Sequence, residues 1–247
     1  MKTIVVTTNK GGVGKTAISV HLAQYLAEQG KKVLVVDLDN QRNCSMVLAR
    51  YASGAKASQL FDNTMPPLTA ENDITLLTAD AKLQELELGP KQTVLPVLHK
   101  MLPLIGGPFD YCVIDTPPGL GLRVQAALIG AQYVLSPVEL DDFGISGITD
   151  LLKVVFGIKQ KINPDLAFVG MLPNRLNAFS TAQKAALEEL LAKYAQYMVP
   201  AKIGNRTSIP EAMRAGVPVW RLKKSSAKDA GNEMLAAFKI IGERIGV

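Results

Sequence analysis

The sequence predicts an α/β fold in which a single, doubly wound and mostly parallel sheet is flanked by helices. Strand-like and helix-like segments alternate from the beginning of the chain to its end, which is typical of parallel sheets. The strand-like segments are apolar throughout rather than at every second position, which indicates burial on both faces. The chain has 247 residues, 48% of them hydrophobic, and can therefore bury a large core. We expect residues 1–247 to form one domain.

Each predicted element follows from its local pattern. The first strand is expected at residues 3–8, and the helix after it at 15–29, ended by Gly30. Five more apolar runs are predicted as strands: 32–37, 74–77, 111–115, 132–137 and 166–172. Later helices are expected at 122–130 and 227–245. Residues 55–73 carry Ser, Thr and Pro without a strong period, so we expect an irregular insertion there.

The composition excludes several classes of protein. Cys44 and Cys112 are too far apart for a CxxC pair or a metal knuckle, which favours a reduced, cytosolic protein. No apolar run approaches the ~20 residues that a membrane-spanning helix needs. His21 and His99 have no nucleophile or metal-ligand pattern around them, so neither is a candidate site residue. The formal net charge of +5 is compatible with a polyanionic partner but does not establish one.

A glycine-rich segment between the first strand and the first helix carries the strongest functional signal. It consists of Lys10, Gly11, Gly12, Val13, Gly14, Lys15 and Thr16, and with Ala17 it forms the predicted nucleotide-binding segment. Small residues let backbone N–H groups surround phosphate oxygens, and the helix N-terminus adds a positive dipole. Lys15 is expected to contact the β- and γ-phosphates and Thr16 to bind Mg²⁺. The segment thus predicts a P-loop NTPase fold that binds a nucleoside triphosphate and Mg²⁺, although Asn9 replaces the first glycine of the general pattern.

The two lysines of this segment distinguish it from an ordinary P-loop. It resembles the deviant Walker A motif, KGGxGK[ST], of the ParA/MinD family of ATPases, and the chain is most similar to the short, Soj-like ParA partition proteins. Four further segments are similar to blocks of that family: residues 37–41, 110–118, 136–147 and 174–175. The chain departs from the family in having Asn40 where Pro is usual and Arg42 where Gly is common.

The acidic residues that end two of the strands are candidates for holding Mg²⁺. Asp115 ends an apolar strand at the edge where ligands bind in parallel sheets, and a carboxylate there suits Mg²⁺ held partly through water. Asp37 also ends a strand, and it either assists the metal through water or caps the following turn.

The remaining site residues are assigned by the resemblance. It implies that Asp39 positions the attacking water and that Asn174 contacts adenine. It implies that Lys10 reaches the nucleotide of a second copy in an ATP-dependent homodimer, with residues 122–130 and 139–144 near that interface.

The resemblance also implies partners. Residues 202–228 hold seven basic residues and one acidic residue, Glu211, and ParA-like proteins bind DNA non-specifically through this part of the chain. The candidate DNA contacts are Arg206, Arg214, Lys223 and Lys224. We expect a slow, Mg²⁺-dependent ATPase that is cytoplasmic, associates with the nucleoid when ATP-bound, and segregates plasmid or chromosomal DNA under stimulation by a ParB-like partner.

Two alternatives stay open: a positioner of a protein cluster with the same mechanism, and a MinD-like membrane-associated ATPase. Glu243 and two glycines weaken the last helix as a membrane anchor, so no stable anchoring is expected. The iron-protein reductases of similar fold are disfavoured by the positions of the two cysteines. Since the first strand begins near residue 3, no separate N-terminal DNA-binding domain is expected.

Overall fold

Parallel strands form one sheet in the computed structural model, which describes residues 1–140 and 144–247. The strands are β1 (Lys2–Val6), β2 (Val33–Asp37), β3 (Ala52–Lys56), β4 (Ile74–Thr78), β5 (Tyr111–Asp115), β6 (Tyr133–Val138) and β7 (Ala167–Pro173). Their spatial order is β3-β4-β2-β5-β1-β6-β7, and every neighbouring pair is parallel.

Helices connect the strands and cover both faces of the sheet. They are α1 (Lys15–Glu28), α2 (Asn43–Val47), α3 (Lys82–Glu85), α4 (Lys91–Val94), α5 (Val97–Ile105), α6 (Leu122–Gly130), α7 (Gly144–Lys161), α8 (Thr181–Tyr194), α9 (Ser208–Ala215) and α10 (Lys228–Ile245). Short 3₁₀ turns lie between several of them.

The strands are buried on both faces, as their apolar sequences predict. Along β1, Ile4 and Val6 belong to the core beneath α1, α9 and α10, whereas Val5 belongs to the core beneath α5, α6 and α7. The predicted α/β fold with a doubly wound, parallel sheet is therefore confirmed.

The central strand β1 positions the candidate site. It lies between β5 and β6, with Val6 opposite Asp115, and Asp37 of β2 is in turn opposite Asp115. The carboxyl ends of β1, β2 and β5 therefore meet at one edge of the sheet, where ligands bind in this architecture.

One strand lies partly where the sequence predicted an irregular insertion. β3 overlaps the start of the stretch 55–73, has four exposed residues out of five, and lies at the edge of the sheet, where it pairs with β4 through a shifted register. Its sequence, ASGAK, has no apolar run, because most residues of this edge strand are exposed to solvent rather than buried between helices. The apolar-run signal that predicts the central strands therefore misses it.

The C-terminal helix α10 packs on the core. Phe238 and Ile241 are fully buried. The Lys2 ammonium donates 2.8 Å to the carbonyl oxygen of Ile245, and the Tyr111 hydroxyl donates 2.8 Å to that of Gly246. Within the described part of the chain, no helix combines the length and hydropathy needed to cross a bilayer.

His21 lies buried on α1, against the ring of Trp220 at 5.7 Å between centroids. Its Nδ1 lies 2.7 Å from the carbonyl oxygen of Ala17, and its Nε2 has no hydrogen-bond partner among the described residues. Burial lowers the pKa of His21 to about 4, although the bond to Ala17 opposes that shift.

This burial predicts an acid-sensitive contribution to stability. Because the pKa is lower in the folded than in the unfolded chain, His21 contributes stability above pH 6.5 that is lost as the pH falls toward 4. Between pH 7.5 and 4.5, the free energy of unfolding should fall by about 2–3 kcal/mol more in the wild type than in His21→Leu. Urea denaturation at both pH values measures this difference, with His99→Leu, an exposed histidine, as control. Parallel losses in wild type and His21→Leu would contradict it.

Candidate nucleotide-binding site

The glycine-rich loop between β1 and α1 has a backbone that requires two of its glycines. Gly12 and Gly14 have φ angles of 79° and 90°, a left-handed conformation that other residues rarely adopt. A Cβ at Gly14 would also lie 2.5 Å from the Asn174 amide nitrogen. The loop ends where α1 begins, so the unpaired N–H groups of the first helical turn are available to an anion.

Lys15 is the first residue of α1, directly after this loop, and is only 6% exposed. Its ammonium donates to the carbonyl oxygen of Lys10 at 3.2 Å. Burial lowers the pKa of Lys15, while the negative charges of Asp115 and Asp39 oppose the shift. A buried ammonium that faces two carboxylates is well placed to bind a phosphate that approaches the loop.

Asp115 is fully buried at the end of β5 and is held by two hydroxyls of α1. Thr16 donates 2.8 Å to its Oδ2, and Ser19 donates 2.8 Å to its Oδ1. Burial, followed by the nearby charge of Asp37, raises the pKa of Asp115 to about 7. Sequence reasoning missed Ser19, although its place three residues after Thr16 puts both hydroxyls on one helix face.

Asp37 supports the loop that follows β2. Its carboxylate accepts hydrogen bonds from the Ser45 backbone at 2.8 Å, the Ser45 hydroxyl at 2.6 Å and the Asp39 backbone at 3.0 Å. Burial raises the pKa of Asp37 even though the Ser45 bonds lower it. The sequence leaves two roles open for Asp37, which are to assist the metal through water or to cap the following turn. The turn-capping contacts are present, and they lie directly beside Asp115.

Asp39 is 7% exposed, and its Oδ1 accepts from the backbone N–H of Gln41 at 3.0 Å. Its carbonyl oxygen accepts from the N–H of Arg42 at 2.8 Å. Arg42 has a φ of 62°, so this arginine takes the left-handed conformation that glycine adopts without strain. The turn after β2 therefore tolerates Arg42 at a glycine-like position, and Asp39 remains at the edge of the sheet.

The donor set at this edge fits Mg²⁺. In the described part of the chain, no group of three or more His, Cys, Asp and Glu side chains could hold a metal by itself. Mg²⁺ does not need such a group, because it is commonly bound by one or two carboxylates, a hydroxyl, water and substrate phosphates. The Thr16 hydroxyl and the Asp115 carboxylate, with Asp37 behind them, provide that set.

Asn174 and Arg175 hold the outer side of the loop. The Asn174 amide donates 2.7 Å to the carbonyl oxygen of Val13, and Asn174 is 3% exposed. Arg175, with a φ of 59°, donates to the carbonyl oxygen of Gly12 and forms an ion pair of 3.8 Å with Glu139. Sequence reasoning identified Asn174 but not these two contacts of Arg175.

The surroundings of the loop include the predicted interface residues. Lys10 is exposed at the start of the loop, and the carbonyl oxygen of Asn9 accepts from the N–H of Gly119 at 3.1 Å. Helix α6 spans 122–130, as predicted. Residues 141–143 of the predicted interface loop 139–144 lie outside the described residues.

The four candidate DNA contacts differ in their local charge. Arg206 forms ion pairs with Glu233 at 2.6 Å and Asp229 at 3.6 Å, and Lys224 pairs with Glu211. Arg214 and Lys223 are exposed, and neither forms an ion pair with any residue in the described ranges. Because Asp229 and Glu233 follow the basic segment in sequence, a count over 202–228 overestimates its available charge.

A glycine loop at a helix N-terminus, a buried lysine followed by a threonine, and a strand-end aspartate that accepts a hydrogen bond from that threonine define a P-loop nucleoside triphosphatase. A family profile described as "AAA domain" matches residues 1–168. Protein IncC of Escherichia coli is 38% identical over 96% of this chain and 68% of its own length. The sporulation initiation inhibitor protein Soj of Bacillus subtilis is 31% identical over 88% of this chain and 90% of its own. The chain belongs to the ParA/MinD family of ATPases, and its relatives are ParA-like.

Solved structures agree on the fold. Apo McdA of Cyanothece superposes with a TM-score of 0.82 over 96% of this chain and 99% of that one, at 23% identity. A putative plasmid partition protein of Borrelia burgdorferi bound to AMPPNP gives a TM-score of 0.79 over 96% and 98%, at 20% identity. These likenesses support the parallel P-loop architecture.

Proposed function

We propose that residues 1–247 act as one domain of a ParA-like partition ATPase. ATP and Mg²⁺ bind at the loop between β1 and α1, and two copies associate around the nucleotide. The ATP-bound homodimer binds DNA non-specifically on the nucleoid in the cytoplasm, and a ParB-like protein on the cargo stimulates hydrolysis, so that plasmid or chromosomal DNA is segregated. The observation that carries the proposal is the two-lysine loop in a chain 38% identical to IncC and 31% identical to Soj.

The chemistry follows from the residues around the loop. Lys15 and the N–H groups at the start of α1 bind the phosphates, while Thr16 and Asp115 hold Mg²⁺, which neutralises the charge that builds up on the transferred phosphoryl group. Asp39 orients the attacking water, because phosphoryl transfer needs the protein chiefly for positioning and charge stabilisation. Lys10 lies exposed at the start of the loop, and in this proposal it contacts the nucleotide of the second copy.

A membrane-associated role has less support. The apolar side of α10, which a surface anchor would use, is buried against the core through Phe238 and Ile241. Releasing that side would expose apolar surface of the main core.

DNA binding is tested on Arg214 and Lys223, the two of the four candidate contacts that form no ion pair with any residue that the structure describes. Arg214→Glu/Lys223→Glu should weaken binding of the ATP-loaded protein to random duplex DNA and flatten the dependence of log affinity on log salt. The slope should fall by about one unit for each phosphate that the variant no longer neutralises. Fluorescence anisotropy at several salt concentrations, with and without ATP, is the measurement. Lys224→Glu is a poorer first choice, because it would place a second carboxylate beside Glu211.

The matched control is Lys82→Glu/Lys91→Glu, which makes the same change in net charge on exposed residues between β4 and α5. This control should bind DNA like the wild type at each salt concentration. Equal affinities for the Arg214→Glu/Lys223→Glu variant and the wild type would contradict the proposed surface, as would wild-type binding that ignores both ATP and salt. In the second case, sedimentation with anionic liposomes would test the membrane alternative.

A further inference from the structure

A buried arginine of α6 contacts the loop that carries Asp39. Arg123 is 5% exposed, and its Nη1 donates a hydrogen bond of 2.9 Å to the carbonyl oxygen of Leu38. The N–H of Leu38 in turn donates 2.9 Å to the carbonyl oxygen of Asp115. Leu38 immediately precedes Asp39. Its backbone N–H is therefore bonded to the end of β5, and its backbone carbonyl to Arg123.

Glu87 holds Arg123 from the other side. Its carboxylate accepts 2.8 Å from Nε of Arg123, and 2.7 Å and 3.3 Å from the backbone N–H groups of Leu122 and Arg123. These two N–H groups open α6, where the helix dipole favours an anion. Burial acts to raise the pKa of Glu87, but the bonds from Arg123 and Leu122 outweigh it and lower the pKa.

Gly121, immediately before α6, leaves space for the Glu87 carboxylate that binds Arg123. A Cβ at Gly121 would collide with both carboxylate oxygens of Glu87, so a larger residue there would displace the carboxylate from this position. Arg123 lies two residues further along, on the helix that follows the turn after Asp115. The pair thus connects the 3₁₀ turn at Glu87, the start of α6 and the loop after β2.

We propose that Arg123, held by Glu87, is a positioning residue for ATP hydrolysis. Arg123 fixes the carbonyl group of Leu38, which belongs to the peptide bond between Leu38 and Asp39. It thereby fixes where the Asp39 carboxylate lies relative to bound ATP. The inference rests on the proposed role of Asp39 in orienting water. Small displacements of such a group slow chemistry strongly while leaving nucleotide binding intact, because the phosphates are bound elsewhere.

The decisive variant is Glu87→Gln/Arg123→Met, which removes both charges together so that neither is left without its partner. Glutamine retains an acceptor for the N-terminus of α6, and methionine retains an apolar side chain of similar reach. We expect its unfolding temperature to lie within about 4 °C of the wild type and its ATP affinity within about twofold. Its single-turnover rate of ATP hydrolysis should fall at least about tenfold. A purely structural ion pair would change the unfolding temperature and not this rate.

The matched control is Glu28→Gln/Arg221→Met. It makes the same substitutions in an ion pair of 2.9 Å between the end of α1 and the turn before α10, where Arg221 is exposed. This control should hydrolyse ATP at the wild-type rate.

Two results would overturn the inference: a rate for the folded, ATP-loaded double variant within about twofold of the wild type, or a parallel loss of rate and ATP affinity. If the double variant does not fold, Arg123→Lys replaces it, because an ammonium cannot span Glu87 and the Leu38 carbonyl as a guanidinium does. That variant should be at least about threefold slower, and a wild-type rate would be equally decisive against the inference.

Asp39→Ala, measured in parallel, tests the role of Asp39 separately from the role of Arg123. A slow Asp39→Ala with a fast double variant refutes only the role of Arg123, whereas a fast Asp39→Ala refutes the role of Asp39 itself.

Discussion

Lys15→Ala is expected to lower the affinity for ATP at least about 100-fold. The ammonium is buried beside the loop and interacts with the charges of Asp115 and Asp39, and we propose that it binds the phosphates. Loss of charge-assisted hydrogen bonds to phosphate costs about 3 kcal/mol or more, which corresponds to this factor. Isothermal titration calorimetry with ATP and Mg²⁺ measures the change, and circular dichroism checks that the variant is folded.

Lys10→Ala is the matched control for this experiment. It removes a lysine from the same loop, but from an exposed position. We expect it to bind ATP within about threefold of the wild type and to fail to form the ATP-dependent dimer in light scattering. Wild-type ATP affinity in Lys15→Ala would refute the phosphate contact, and normal dimers with normal hydrolysis in Lys10→Ala would refute its action across the interface.

Asp39→Ala is expected to bind ATP normally and to hydrolyse it at least about 100-fold more slowly, so that the ATP-bound dimer accumulates. The carboxylate lies at the edge of the sheet near Lys15 but outside the glycine loop, so its loss removes water positioning without removing phosphate contacts. Single-turnover hydrolysis of radiolabelled ATP and light scattering measure the two effects.

Asp39→Asn separates the charge of this side chain from its place in the turn. It retains an oxygen that accepts the Gln41 N–H, and it loses the negative charge. We expect Asp39→Asn to be as slow as Asp39→Ala. Turnover close to that of the wild type would mean that the turn matters and the charge does not, and loss of ATP affinity in either variant would contradict the assignment.

Elements whose signal is local were predicted closely from the sequence. Helix α6 was predicted at 122–130, where the structure has Leu122–Gly130, and β5 at 111–115, where it has Tyr111–Asp115. Fully apolar strands and a helix begun by a glycine loop depend on residues within a few positions of each other. The edge strand β3 was missed because partial exposure leaves no apolar run.

The partners of the polar residues were much less predictable. The basic segment contains Arg206 and Lys224, but Arg206 is paired with Glu233 and Lys224 with Glu211, and a count of charges along the sequence does not show which of them meet. Arg123 was predicted only as part of a helix, since neither Glu87 nor Leu38 is near it in sequence.

The sequence by itself determined that this protein has a parallel sheet buried on both faces and a phosphate-binding loop between its first strand and first helix. Periodicity, glycine spacing and the Lys-Thr pair are local, so they can be interpreted without the fold. The tertiary structure decided which polar groups meet. Thr16 binds Asp115 from 99 positions away because strand order sets β1 beside β5, and Asp37 faces Asp115 because the register of β2 and β5 aligns their last residues. Such contacts depend on strand order and register, which arise only when the whole chain packs.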